Sequence, residues 1–197
     1  MIPVVIATRN AHKTREFAEL LGGAFAVSDL SSHPEIPPVD ETGNTFEENA
    51  TLKAVAVSQR IGSLVLADDS GLEVDALGKA PGVYSARYAG AGASDDANIA
   101  KLLAELRAVS APRLARFRCV LVLARNGSAV AHFTGVIQGE IVARARGMNG
   151  FGYDPVFVPA GRQETFAQLG SATKNEISHR ARAVAQLRRY LVELSPG

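Results

Sequence analysis

The chain has 197 residues, of which 47% are hydrophobic and 21% are charged, a balance typical of globular proteins that bury a core of their own. Lys and Arg total 21 against 20 acidic residues, so the chain lacks the basic excess that general nucleic-acid binding requires. The single cysteine, Cys119, excludes an intramolecular disulfide. The apolar run around Cys119 favours a buried structural thiol.

The N-terminal residues contain no basic stretch followed by a long apolar segment, so we expect no secretory signal. No apolar run approaches the roughly 20 residues that a transmembrane helix requires. These features predict a cytoplasmic protein with neither a membrane partner nor a nucleic-acid partner.

The first third of the chain alternates between strand-like and helix-like patterns. Apolar periodicity predicts strands at 2–8 and 24–30, a helix at 13–21 and a second helix ending near Ile61. Thr45 and Glu48 have the spacing of a capping box, which predicts that the second helix begins there. The Pro-rich stretch between these elements, 31–43, predicts an extended loop.

Two adjacent carboxylates, Asp68 and Asp69, follow an apolar run at 63–67 that predicts a short strand. We expect this strand to end at the pair and a further strand to begin at Leu72. Two like charges at the edge of a core are costly unless a positive group lies against them, and Asp oxygens are ligands that Mg²⁺ prefers. A turn that ends the strand is the alternative, but a turn needs only one acid. The pair therefore favours a metal site.

The second half of the chain continues the alternation. Ser94 and the acids after it predict the start of a helix, and Asn126–Gly127 predicts a type I′ hairpin turn. The remaining predicted elements are a β extension at 139–145, a short strand at 155–159 and a last helix that begins near Ser178 and carries an apolar stripe of Leu187, Tyr190, Leu191 and Leu194. Interleaved helices and strands with one hairpin predict an α/β protein with a mixed sheet.

A polar turn, Thr8–Lys13, lies between the first predicted strand and helix. The N-terminus of a helix presents unpaired N–H groups that suit phosphate, Thr8 and Asn10 can donate hydrogen bonds, and Lys13 adds a charge. The P-loop pattern is absent. The local sequence therefore slightly favours an ordinary capping turn over a phosphate site.

Three further segments carry candidate chemistry. Glu41 lies in a loop and can supply a metal oxygen, whereas Lys53 lies on a helix, where a solvated lysine is the default expectation. The loop Phe151–Asp154 can stack a nucleobase on an aromatic ring while its amides contact the base edge, or it can tuck its aromatics into the core. The polar group 174–180 before the last helix is explained either by helix capping or by a second binding edge for an anion or base.

Taken together, these segments resemble the family of noncanonical purine NTP pyrophosphatases, also called inosine triphosphate or dITP/XTP pyrophosphatases. The resemblance covers nearly the whole chain. It rests on seven motifs in order, which are Thr8-x-Asn10-x-x-Lys13, Glu41-Thr42-Gly43, Phe46-Glu47-Glu48-Asn49-Ala50, Ala67-Asp68-Asp69-Ser70-Gly71-Leu72, Pro81-Gly82-Val83-Tyr84-Ser85-Ala86-Arg87-Tyr88, Phe151-Gly152-Tyr153-Asp154-Pro155 and Ser178-His179-Arg180. Arg9 is a departure, since many relatives have glycine there.

The resemblance implies one domain spanning residues 1–197, with a long mixed β-sheet and flanking helices that form two lobes around a central substrate cleft, in a homodimer. It implies Mg²⁺-dependent hydrolysis of ITP, dITP or XTP to the monophosphate and pyrophosphate. Asp69 is then the catalytic residue, and Glu41, Asp69 and Asp68 are the metal ligands. The implied substrate-binding residues are Thr8, Arg9, Asn10, Ala11, His12, Lys13, Lys53, Ser70, Phe151, Gly152, Tyr153, Asp154, Lys174, His179 and Arg180.

Base selectivity has a physical explanation in this scheme. Hypoxanthine and xanthine carry a 6-oxo acceptor where adenine carries an amino donor. We expect backbone N–H groups and the region of Arg180 to donate to that oxygen, so that adenine leaves buried donors unpaired. Two other functions stay open, a pyrophosphatase for a modified pyrimidine nucleotide and a regulator that binds nucleotides without turnover.

Overall fold

The computed structural model describes residues 1–193 and is built on one mixed sheet of six strands in the order β2-β1-β3-β4-β5-β6. The strands are β1 (Ile2–Ile6), β2 (Phe25–Asp29), β3 (Leu64–Val74), β4 (Leu114–Arg125), β5 (Ser128–Ile141) and β6 (Phe157–Pro159). The helices are α1 (Ala11–Leu21), α2 (Phe46–Ser58), α3 (Asp95–Glu105), α4 (Ser171–Ile177) and α5 (His179–Glu193). None of the helices within residues 1–193 is long and apolar enough to cross a bilayer.

The sheet combines parallel and antiparallel pairs. β1 is parallel to both β2 and β3, and β5 is antiparallel to β6. Asn126 and Gly127 connect β4 to β5 with φ values of 51° and 77°, as the type I′ turn requires. The predicted hairpin and the predicted mixed α/β class are therefore confirmed.

β3 is a single strand of 11 residues that runs through Asp68, Asp69 and Gly71 without a break. The prediction of two strands separated at the acidic pair is wrong. The apolar pattern does break at Asp68, but both carboxylates are buried, 3% and 6% exposed, and their ionic partners compensate for the charges. The ladder therefore continues to Val74.

Helix boundaries follow local capping. α2 has the complete capping box of Thr45 and Glu48, so the predicted start is confirmed, although the helix ends three residues before Ile61. α1 begins two residues before Lys13, because the Asn10 side chain accepts hydrogen bonds from the first turn.

The last helical region is two helices, and α4 was not predicted. Ser178 separates α4 from α5 because its backbone is extended, with ψ of 160°. Leu187 is buried in the core as expected. Leu194, the last residue of the predicted apolar stripe, lies outside the described residues.

The chain divides into two compact units. The first unit comprises residues 1–69, 119–135 and the chain from 180, and the second comprises residues 70–118 and 136–179. The core of the first unit includes Phe17, Leu66 and Leu121. That of the second includes Leu102 and Phe157.

Candidate functional site

Asp68 and Asp69 are the centre of a charged cluster in the first unit. Consecutive side chains on a strand point to opposite faces of the sheet, so the two carboxylates meet different partners. The cluster, called here the acidic cluster, consists of Glu16, Glu41, Asp68 and Asp69 with the cations Lys13, Lys53 and Arg180.

Both carboxylate oxygens of Asp68 have protein partners. Lys13 Nζ lies 2.7 Å and Arg180 Nη2 3.4 Å from Oδ2, and the Cys119 thiol donates to Oδ1 at 3.1 Å. Burial alone would raise the pKa of Asp68, but the Lys13 ammonium and the Arg180 guanidinium outweigh it and hold that pKa well below its usual range. Asp68 is therefore a permanent negative charge.

Arg180 is fixed by acids and by an aromatic ring. It also forms an ion pair with Glu16, and its guanidinium carbon lies 5.5 Å from the centroid of the Phe17 ring. Burial would lower the pKa of Arg180, but Asp68 and Glu16 raise it above its ordinary value. The guanidinium is 2% exposed and serves these ion pairs, and its predicted contact with the base stays a prediction.

Asp69 has a different environment. Its Oδ1 lies 3.8 Å from Lys53 Nζ, and within residues 1–193 its buried Oδ2 has no hydrogen-bond partner. Burial raises the pKa of Asp69 to about 6; the Lys53 ammonium opposes the shift and the Glu41 carboxylate adds to it. Asp69 therefore exchanges a proton close to neutral pH.

Lys53 extends from α2 toward the acids. Its Nζ donates to Glu41 Oε1 at 2.6 Å and to the Asp68 carbonyl at 2.9 Å. Because its side chain is only 12% exposed, the default expectation of a solvated lysine is wrong. Lys53 links the loop that carries Glu41 to the strand that carries both aspartates.

The acidic cluster contains one more carboxyl group than it has cations. No three His, Cys, Asp or Glu side chains within residues 1–193 form a preassembled metal cage. Glu41 and Asp69 nevertheless offer oxygen ligands on either side of Lys53, and Asp69 Oδ2 is buried with no donor among the described residues. This donor set fits a hard divalent cation such as Mg²⁺.

The turn before α1 is folded by its own polar side chains. Asn10 Oδ1 accepts from the amides of His12 and Lys13 at 2.9 and 3.2 Å, and Thr8 Oγ1 accepts from the Asn10 amide at 3.1 Å. Arg9 donates to the Ile36 carbonyl at 2.5 Å. Ala11 and His12 are exposed. Asn10 therefore caps α1, as the capping interpretation predicts, and a phosphate-binding role for the same turn stays a prediction. Lys13 stands at the N-terminus of the helix beside Asp68.

In the second unit, the loop Phe151–Asp154 is closed by its own carboxylate. Asp154 Oδ2 accepts from the Phe151 amide at 3.0 Å and from Lys174 Nζ at 2.6 Å. The Lys174 ammonium also lies 4.9 Å from the centroid of the Phe151 ring. A Cβ on Gly150 would lie 2.0 Å from the same carboxylate oxygen, so only glycine fits there.

Two residues outside the loop hold its centre. The Gly152 amide donates to Asp95 Oδ2 at 2.6 Å, and the Tyr153 hydroxyl donates to the Ser85 carbonyl at 2.9 Å. Tyr153 is tucked into the core, whereas Phe151 is half-buried. The Phe151 and Gly152 amides donate to the Asp154 and Asp95 carboxylates here, and the contact of loop amides with a base edge stays a prediction.

The remaining candidates are His179 and Ser70. The His179 ring stacks on Phe117, with centroids 4.8 Å apart and planes at 12°, and the histidine is buried. Ser70 follows Asp69 in β3 and is half-buried. The structure therefore brings together two sets of predicted residues. In the first unit these are Lys13, Glu41, Lys53, Asp68, Asp69 and Arg180, and in the second they are Phe151, Asp154 and Lys174.

Sequence reasoning missed three residues with direct contacts to these groups. Glu16 pairs with Arg180, and Ser85 and Asp95 support the loop. In the sequence, Glu16 is explained as an acid on a helix surface, Ser85 as a member of a turn and Asp95 as an acid in the first turn of a helix. The partners lie from 57 to 164 residues away in the chain, and no spacing rule connects them.

Comparison with known proteins gives matches along nearly the whole chain. The model of the Ham1 family matches residues 4–190. A dITP/XTP pyrophosphatase of Geobacillus kaustophilus is 50% identical over 199 residues, covering 100% of this chain and 98% of the relative, and one of Bacillus licheniformis is 49% identical, covering 95% and 96%. A solved structure of a HAM1 protein from Coxiella burnetii superposes with a TM-score of 0.88 at 42% identity, covering 98% of this chain and 100% of that one.

Proposed function

Because this chain belongs to the Ham1 family, we propose that it hydrolyses noncanonical purine nucleoside triphosphates (dITP, ITP and XTP) to the monophosphate and pyrophosphate. The family predicted from the sequence motifs is confirmed, and relatives named dITP/XTP pyrophosphatase support the substrate class. The activity removes such nucleotides from the nucleotide pool.

The observation that carries the proposal is the environment of Asp69. In the reaction, a water oxygen attacks the α-phosphorus, the α–β phosphoanhydride bond breaks and pyrophosphate leaves. Asp69 accepts the proton of the attacking water. In the metal-free protein the pKa of this carboxyl is raised to about 6, so that it is a stronger base than an ordinary carboxylate and is still mostly ionised at neutral pH.

Nucleotide pyrophosphatases generally use a divalent metal, and we propose Mg²⁺ with Glu41 and Asp69 as its protein ligands. When bound, Mg²⁺ would neutralise phosphate charge and make water easier to deprotonate. Asp68, which the sequence also predicts as a ligand, has lysine, arginine and thiol partners. Its metal role stays a prediction that our proposal does not use.

The phosphates are proposed to bind at the N-terminus of α1 and at Lys53. A triphosphate carries three to four negative charges, which unpaired helix N–H groups and ammonium groups compensate. Asp68 holds the Lys13 ammonium beside that terminus. The proposed phosphate-binding residues are Thr8, Arg9, Asn10, Ala11, His12, Lys13 and Lys53.

We propose that the base binds in the second unit, at the group formed by Phe151, Asp154 and Lys174. The half-buried Phe151 ring offers a stacking face, and the Lys174–Asp154 pair beside it offers a donor and an acceptor at 2.6 Å from one another. A site built around such buried polar groups rejects a base that leaves them unpaired, by several orders of magnitude. Ser70, Gly152, Tyr153 and His179 of the second unit complete the proposed base site, and the contact of Arg180 with the substrate stays a separate prediction.

Pyrophosphate release from a nucleotide panel with and without Mg²⁺ tests the function. We expect turnover of dITP, ITP and XTP, loss of turnover with EDTA, and much lower kcat/KM for ATP. Equal rates for ITP and ATP would contradict the proposed selectivity. Turnover of modified pyrimidine triphosphates alone would favour the pyrimidine alternative, and nucleotide binding without pyrophosphate release would favour a regulator.

The assembly proposed here is a cytoplasmic homodimer in which the chain forms one catalytic domain. The dimer rests on the family resemblance, and light scattering of the purified protein tests it. A single cooperative unfolding transition is the result expected for one domain, whereas two separate transitions would contradict it.

A further inference from the structure

The Gly152 amide is the point at which the loop Phe151–Asp154 is tied to a helix. Gly152 has a φ of 60°, in the left-handed region that favours glycine, and it has no side chain through which the loop could be packed. Its N–H donates to Asp95 Oδ2 at 2.6 Å. Hydrogen bonds to ionised acceptors are roughly twice as strong as neutral ones, so this contact holds the bend of the loop.

Asp95 is the first residue of α3, and Ser94 before it caps the helix. Asp95 and Asp96 are both exposed acids of the first turn. The helix dipole usually explains an acid at such a position, and that explanation suffices for Asp96. Asp95 does more, because its carboxylate reaches a glycine 57 residues away in the chain. Both acids lie in the first turn of α3, but Asp95 also makes a hydrogen bond to a residue far away in the chain.

α3 is itself fixed against the segment 81–89 by hydrogen bonds of Asn98. The buried Asn98 accepts from the Ala89 amide at 2.8 Å and donates to the Ala86 carbonyl at 3.3 Å. The same segment supplies the Ser85 carbonyl that accepts from the Tyr153 hydroxyl. Gly152 and Tyr153, consecutive in the loop, are thus held by one support made of α3 and the segment before it.

We infer that Asp95 is a positioning residue that fixes the Gly152 amide and thereby sets the purine selectivity of the loop. The inference rests on the proposed function, in which the Phe151 ring stacks on the base. Discrimination between bases requires donors and acceptors that do not move to suit the wrong base. Without the Asp95 contact the bend at Gly152 loses the acceptor that holds its amide, and the position of the Phe151 ring then depends on the Asp154 and Lys174 contacts.

The test compares D95A with the matched control D96A, which removes a first-turn acid of the same helix. For D95A we expect KM for dITP to rise about tenfold with kcat within about twofold, because ground-state and transition-state binding weaken together. The ratio of kcat/KM for ITP over ATP should fall. D95N keeps an acceptor oxygen and should restore most of the loss, and D96A should match the parent protein.

Hydrogen exchange of the Gly152 amide provides a readout that does not depend on turnover. It should accelerate in D95A and not in D96A, while the two variants have equal melting temperatures. If KM, the ITP/ATP selectivity and the exchange rate of the Gly152 amide change no more in D95A than in D96A, the inference is overturned. Absence of pyrophosphate release from every purine nucleotide in the parent protein would refute the proposed function and the selectivity role, and exchange would still report whether Asp95 holds the loop.

Discussion

Asp68 and Asp69 are consecutive residues of β3, and their pKa values are displaced in opposite directions. The Lys13 and Arg180 charges hold the pKa of Asp68 well below its usual range despite its burial, whereas burial raises that of Asp69 to about 6. The alternation of a strand places the two side chains on opposite faces. One acid is therefore a fixed charge and its neighbour a proton acceptor.

Replacing Asp69 with Asn should abolish pyrophosphate release while leaving nucleotide binding measurable. Removal of a general base costs typically about 10²–10⁴-fold in kcat. The measurement is a coupled pyrophosphate assay together with nucleotide binding by calorimetry. D75N is the control, because Asp75 is exposed and pairs with Lys79. Turnover in D69N equal to that of D75N would remove Asp69 from the mechanism.

The same variant should be more stable than the parent protein at pH 7 in EDTA. The pKa of Asp69 is raised from 3.8 to about 6 on folding. Between about pH 4 and pH 6 the folded state therefore keeps a proton on Asp69 that the unfolded state has lost. Stability is therefore lost as pH rises through this window. We expect D69N to gain about 3 kcal/mol at pH 7 and nothing at pH 3, as measured by urea unfolding. A gain that does not change with pH would contradict the assignment.

Replacing Asp68 with Asn should destabilise the protein. Breaking a buried ion pair leaves Lys13 and Arg180 without their shared carboxylate, at a cost of about 3–5 kcal/mol. Because the folded pKa of Asp68 is depressed, its contribution is present above the unfolded pKa and declines as pH falls below it. The difference between D68N and the parent protein should therefore shrink from pH 6 to pH 3. D40N, an exposed loop substitution, is the control.

The Cys119 thiol should resist modification in the folded protein. Burial raises its pKa, and the Asp68 carboxylate that accepts its proton raises it further, so little thiolate is present at pH 8. We expect labelling by a maleimide to proceed at the rate of unfolding and to be rapid in 6 M guanidinium. Because Cys119 is the single cysteine, mass spectrometry gives an unambiguous count. Rapid labelling of the native protein would contradict the contact.

Local signals in the sequence predicted the elements that local physics determines. The capping box of Thr45 and Glu48 and the turn at Asn126–Gly127 were confirmed because each depends on residues within a few positions of one another. The break predicted at Asp68 failed for the opposite reason. The charge of that residue is compensated by Lys13 and Arg180, which are 55 and 112 residues away.

The candidate site was predictable to a similar extent. The motifs identified Asp69 and Glu41 as residues of interest, and the family resemblance added Lys53. No pattern showed that Lys53 would be nearly buried between Glu41 and Asp69. Likewise, Asp95 has the sequence features of an ordinary first-turn acid. Its contact with Gly152 is a product of tertiary structure.

The contacts of Lys53 bear on whether the protein can fold before it binds metal. Its ammonium lies 2.6 Å from Glu41 and 3.8 Å from Asp69, so the polypeptide supplies an internal counter-ion for the acids that would ligate the metal. Folding then does not wait for metal, in contrast to small domains that collapse only around an ion. A chelated preparation should keep its melting temperature, and activity should return on addition of Mg²⁺ without refolding. Under the proposed Mg²⁺ role, metal binding would then be a step that follows folding and is reversible in the folded chain.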